Sequence, residues 1–207
     1  MAERRLHLEP DTTALVLIEC QGGVVGAQSM LPELAAAAGP ALEVISILAA
    51  RAREVGVLVV HLTYVPIAGN RSSNRKPPLF AAINHNMDTW APNEPETTVV
   101  PEIGVGPNDL VLERHQGLSP TYGTETYKIL RNLGMTTLLV GGVSTNVAIP
   151  TASAEAVDEG FSVVIARDAT VGTPAEHHES MLRHTLPFIA TMTSSEKVLH
   201  EWAEHAG

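Results

Sequence analysis

At 207 residues, 44% hydrophobic and with a formal net charge of −10, the chain is long enough for one substantial core and too acidic to favour a nucleic-acid backbone. The opening MAERRLHLEPDTT has no apolar h-region behind its charges, and no run approaches the ~18 apolar residues of a membrane span, so a cytoplasmic protein without membrane partners is expected. A single cysteine, Cys20, excludes an internal disulfide and any CxxC motif.

Short runs rich in Val, Ile and Leu alternate with helix-length segments, the pattern of parallel strands joined by crossover helices. Strands are expected at 14–19 (ALVLIE), 57–64 (VLVVHLTY), 109–114 (DLVLER), 136–142 (TTLLVGG), 162–169 (SVVIARDA) and 188–193 (FIATMT). Each is too short and too continuously apolar for an amphipathic helix, and all read as buried. The Ala-rich segment 31–56 reads as a helix interrupted at Gly39-Pro40 and closed by Gly56. A second helix is expected within 123–134, with Thr124 as N-cap and Gly134 as terminator. Further helices are expected within 146–160, with Pro150 in the first turn or so, and over 173–186 and 194–207. The long stretch 65–108 is rich in Pro and Asn, and only PLFAAINHNM (78–87) suggests a short helix. Its Phe80, Met87 and Trp90 give it apolar weight, so it reads as an active-site lid or an oligomer contact within a single domain spanning 1–207.

In an open parallel sheet, ligands bind beyond the carboxyl ends of the strands. Those ends carry Glu19, Arg114 and the turn GGVSTN (141–146). A carboxylate and a guanidinium ending apolar strands are costly if buried alone, so an ion pair facing a pocket is the simplest joint expectation. Ser144 and Thr145 are the only hydroxyls in the turn, which lacks the G-x-S-x-G elbow of a serine nucleophile. Cys20 follows Glu19 directly, so alternation turns it to the other face, as an inert buried thiol rather than a relocated nucleophile. His177 and His184 share a helix face, but charged neighbours make it a solvated one; no metal is expected. GVGPND precedes a strand and is no dinucleotide fingerprint.

TALVLIECQ (13–21), the Pro-rich excursion, the block from PNDLVLERHQG to SVVIARDA (107–169) and TPAEHHESMLR (173–183) resemble, in order and spacing, the isochorismatase-like cysteine hydrolase family. The resemblance covers most of the chain. It implies a three-layer, doubly wound α/β fold with about six mostly parallel strands, no cofactor, and a homo-oligomer, dimer or tetramer. It also implies a triad of Asp, Lys and Cys, the last in a turn with a non-proline cis peptide. The matching positions here hold Glu19, Arg114 and Ala148.

Ala148 cannot attack a carbonyl, so a thioester route is closed. Two readings of the remaining pair stand: acid/base chemistry by Glu19 beside Arg114, or a strand-end salt bridge without chemistry. The first gives a hydrolase or lyase variant acting on a small carboxylated or cyclic molecule, with Arg114 holding a substrate carboxylate. The second gives an inactive family member that binds a small molecule or a partner. Substrate contacts are expected from the turn amides around Ser144 and Ala148, and from Gln21, Trp90 and His115.

Overall fold

Six strands form one parallel sheet: β1 (Thr13–Ile18), β2 (Leu58–Tyr64), β3 (Leu110–Arg114), β4 (Thr137–Val143), β5 (Ser162–Val171) and β6 (Thr191–Thr193). The computed structural model describes residues 6–67, 69–83, 87–88 and 90–203. The order is β3-β2-β1-β4-β5-β6. The chain therefore starts at the centre, winds outward to β3, then returns to the other side of β1. Strand order reverses between β1 and β4, which opens a crevice at their carboxyl ends.

Helices cover both faces: α1 (Gly22–Val25), α2 (Pro32–Val55), α3 (Pro78–Ile83), α4 (Thr126–Asn132), α5 (Ala148–Asp158), α6 (Ala175–His184) and α7 (Ser195–Ala203). Alternation along β1 sorts the two cores. Leu15 and Leu17 pack with Leu48 of α2 and Trp202 of α7, while Ala14, Val16 and Ile18 pack with Leu130 of α4 and Ile149 of α5. The Trp202 indole N–H is satisfied by the Leu8 carbonyl at 3.1 Å.

The expected break at Gly39-Pro40 does not occur; α2 runs through it. Pro40 removes the amide that would bond the Ala36 carbonyl, but Ala36, Gly39 and Pro40 all lie on the exposed face, where that carbonyl is open to solvent. Among the described helices, α2 alone is long and apolar enough to cross a membrane by length and composition. Its Leu34, Ala38, Leu42, Ile45, Leu48 and Ala52 are instead buried in the protein's own core. Gly56 ends it in the left-handed region at φ 81°, as a C-cap should.

Other boundaries shift for local reasons. β3 is an edge strand, so Val111 and Glu113 face out and the run is not uniformly buried. Its neighbour α4 starts two residues after Thr124, which is not the N-cap; its hydroxyl accepts the Thr126 amide instead. β6 is shorter than 188–193 because Leu186–Phe188 form a 3-10 turn that leaves Phe188 exposed. The short helix expected over 78–87 is α3 as far as Ile83; residues 84–86 lie outside the described ones. The 65–108 excursion is fastened to the strand ends rather than free of them. Gly22 and Gly23 donate to the Thr98 and Glu96 carbonyls, and Val100 donates to that of Cys20.

A buried charge cluster ties β2 to α2. Asp109 Oδ2 accepts from Arg53 Nη2 at 2.7 Å, the Gly106 amide at 2.8 Å and His61 Nε2 at 3.0 Å. The ionised carboxylate only accepts, so His61 donates to it from Nε2, and its buried Nδ1 has no partner among the described residues. Burial pulls the His61 imidazole below its ordinary 6.5, outweighing the attraction of Asp109. Burial pushes Asp109 up, but Arg53, the Gly106 amide and His61 together hold it below 3.8.

Both shifts have the same sign for stability. Below 6.5 the unfolded chain takes up the imidazole proton while the native state does not, and nearer 3.8 the unfolded carboxylate does likewise. Stability is therefore expected to fall as pH drops from 6.5, and His61→Gln to flatten that first step. Urea midpoints between about pH 5 and pH 7 read this out; parallel curves for the two proteins would contradict it.

Candidate active site

β1 ends at Ile18, opposite Leu62 on one side and Gly142 on the other. Glu19 then leaves the strand in the left-handed region at φ 52°, although its amide still bonds the Leu62 carbonyl at 2.9 Å. A non-glycine residue held there carries a cost of about 1–3 kcal/mol that its surroundings must offset. Arg114 ends β3 opposite Tyr64, so β2 lies between the two charges. Two strand spacings are roughly 9–10 Å, a gap that only long side chains bridge. The guanidinium crosses it over the Tyr64 ring, 4.5 Å from the ring centroid, and Arg114 Nη2 donates to Glu19 Oε1. Nη1 donates to the Gly117 carbonyl at 2.8 Å, and Nε is buried without an acceptor among the described residues.

Tyr64 is itself fixed from three sides. Its hydroxyl bonds Asn70 Oδ1 at 2.7 Å and Ser73 Oγ. Gln21 accepts the Tyr64 amide and donates to both the Tyr64 and Glu96 carbonyls. Gln21 is thus fully buried as a clamp and, unlike the substrate contact expected of it, does not line the cavity described below. His115 also departs from expectation: its Nδ1 is bound to the Val65 carbonyl at 2.7 Å, and it borders a separate hollow outside β3.

The turn after β4 is held just as firmly. Gly142 sits at φ 106°, and a Cβ there would stand 2.2 Å from the Ile18 carbonyl oxygen. The Val143-Ser144 peptide is cis. Asn146 exchanges hydrogen bonds with the Thr173 backbone, Thr145 donates its amide to Val171, and its hydroxyl meets His178 Nδ1 at 3.0 Å. α5 begins at Ala148 behind a Val147 N-cap that has no side chain able to cap it. The amides of Val147 and Ala148 therefore have no partner among the described residues.

Glu19, Arg114, Ser144, Ala148 and Trp90 all line one cavity of about 560 Å³, within the range of small-ligand sites. Its remaining walls are mostly apolar: Met30, Leu31 and Leu34 from the start of α2 and the loop before it, and Leu79, Phe80 and Ile83 from α3. Phe80 is at once buried and part of this wall. Gly23 admits Trp90, since a Cβ at that position would stand 2.1 Å from the indole ring. Cys20 is absent from the cavity; its thiol is buried against the Ile18 carbonyl, and burial pushes it up to about 12. His177 and His184 are exposed on α6, and among the described residues no group of three or more His, Cys, Asp or Glu is arranged to hold a metal ion.

Tyr64, Asn146 and Thr173 also border the cavity and were missed from sequence. Tyr64 was legible in principle: it ends the strand between the two that carry Glu19 and Arg114. Finding it required the strand order.

The chain is similar to known proteins over most of its length. Residues 13–197 match the family described as the isochorismatase domain. The chain is 30% identical over 201 residues to an uncharacterized isochorismatase family protein, YecD, of Escherichia coli O157:H7, covering 94% of this chain and 98% of that protein. In fold it resembles a cysteine hydrolase from Pseudomonas syringae pv. phaseolicola 1448A, with a TM-score of 0.80 at 20% identity, covering 99% of this chain and 100% of that one. It also resembles N-carbamoylsarcosine amidase from Thermoplasma acidophilum, with a TM-score of 0.66 at 22% identity, covering 89% and 97%.

Proposed function

Since the chain belongs to the isochorismatase family of hydrolases, we propose that it is a hydrolase, or a lyase variant, acting on a small cyclic molecule by acid/base chemistry without a cysteine nucleophile. The observation that carries this reading is the meeting of Glu19, Arg114 and the uncapped start of α5 on one cavity, with a methyl group at Ala148.

In this reading the Glu19 carboxylate takes a proton from water while the water oxygen bonds to a substrate carbonyl carbon. The electron pair of the carbonyl moves onto its oxygen, which faces the Val147 and Ala148 amides and the Ser144 hydroxyl. As the tetrahedral carbon collapses, the bond to the leaving group breaks, and Glu19 returns the proton to that group. Arg114 holds the Glu19 carboxylate in place through Nη2. That engagement and the bond to Gly117 take two of its five N–H donors, so in this reading Arg114 first positions Glu19 rather than anchoring substrate.

A proton-transfer group of this kind supplies typically 10²–10⁴-fold in rate, by order of magnitude. Purified protein incubated with panels of small cyclic amides, esters and enol ethers is expected to release product detectable by mass spectrometry. Glu19→Gln should lose roughly that factor, and Cys20→Ser should lose nothing. Turnover indifferent to Glu19→Gln would remove the acid/base role. One observation, the methyl at Ala148, favours a second reading in which the cavity binds its ligand without converting it; binding without product would select that reading.

A further inference from the structure

Several hydrogen-bonding groups of the cavity wall are committed to one another. Glu19 and Arg114 pair, the Tyr64 hydroxyl serves Asn70 and Ser73, and Asn146 is tied to Thr173. Among the described lining residues this leaves the Ser144 and Thr173 hydroxyls close to the free amides of Val147 and Ala148, and the exposed Glu33 carboxylate. Arg114 is the only Lys, Arg or His among them. Everything else that a ligand meets is hydrocarbon or aromatic, from Leu31 and Leu34 across to Leu79, Ile83 and Trp90.

We propose that the ligand is a predominantly hydrocarbon molecule, cyclic or branched, with a single neutral carbonyl head and no second charge. Polar groups along the ligand's body would lose water without finding a partner on walls built from Leu31, Leu34, Leu79, Phe80 and Ile83. An additional carboxylate would face Glu19 and Glu33 with the one nearby cation already paired. A hydrocarbon body loses nothing on entry, and each methylene buried adds roughly fourfold to affinity. Ser144 and the adjacent amides then receive the one carbonyl. The placement of that carbonyl rests on the function proposed above; the apolar body does not.

The test is isothermal titration calorimetry of the full chain with cyclopentane-, cyclohexane- and cycloheptanecarboxamide and with cyclohexane-1,2-dicarboxylate. The carboxamides are expected to bind, with affinity rising by roughly fourfold per ring methylene, and the dicarboxylate at least tenfold more weakly. Leu79→Asp, at the exposed rim, is expected to flatten the ring-size series while the protein stays folded by circular dichroism. A dicarboxylate that binds as well as the carboxamides, a series flat in the native protein, or no binding of any carboxamide would overturn the proposal. Graded binding with no turnover, unaffected by Glu19→Gln, would instead sink the acid/base function and leave the ligand class standing.

Discussion

Arg114→Ala is expected to lower the free energy of unfolding by about 3–5 kcal/mol, the range seen when one partner of a buried ion pair is removed. The two side chains are only 8% and 14% exposed, so the Glu19 carboxylate left behind has little water to turn to. The Gly117 carbonyl loses its donor and the Tyr64 ring loses its cation at the same stroke. Glu19→Gln should cost less, because an amide oxygen still accepts from the guanidinium. Pairing Glu19→Gln with Arg114→Met should recover part of the loss, since a neutral pair of similar volume leaves no buried charge to desolvate. A double-mutant cycle by urea denaturation measures this coupling. If Arg114→Ala unfolded within about 1 kcal/mol of the parent protein, the pair would be behaving as an exposed surface bridge, and the buried geometry would be wrong.

Ala148→Cys is expected to turn a thiol-inert protein into one that iodoacetamide modifies at a single position under native conditions. The native Cys20 is unreactive for two independent reasons: it is buried, and its thiol is raised from 9.0 to about 12, which cuts the thiolate fraction by about a thousandfold. A thiol at position 148 would instead stand in the cavity wall, at the first residue of α5, where free amides favour an anion. Intact-mass analysis of Ala148→Cys in a Cys20→Ser background gives the answer directly. Labelling of Cys20 in the parent protein, or none of the variant, would contradict the site geometry. Gain of thiol reactivity without gain of turnover would show that a nucleophile alone does not complete the site.

The sheet was legible because a strand covered on both faces needs a continuous apolar run, and such runs as ALVLIE have no helical alternative of that length. The reading failed where exposure, not residue type, decided the outcome. Pro40 reads as a helix break, yet on a solvent face it costs only one carbonyl bond, and that carbonyl is open to solvent. β3 looked as buried as the others until the strand order made it an edge. At the site, Glu19 and Arg114 were legible because charges at the ends of apolar strands need a reason to be there. Gln21 and His115 were misplaced because their neighbours come from far along the chain: Glu96 for one, Val65 for the other. No local pattern encodes a clamp between segments 75 or 50 residues apart.

The Tyr64 hydroxyl has a consequence for how the chain tolerates change. Residues 69–73 are polar and loop-forming, the kind of segment in which substitutions ordinarily pass without effect. Here Asn70 and Ser73 hold a buried phenol whose ring lies against the Arg114 guanidinium. Replacing either with an apolar residue would leave that phenol short of a partner, at a cost of about 1–3 kcal/mol, and would loosen the ring beneath the ion pair. Two loop positions are thereby tied to the same ion pair as Glu19 and Arg114, and substitutions there are expected to destabilise it as if they lay in the cavity itself.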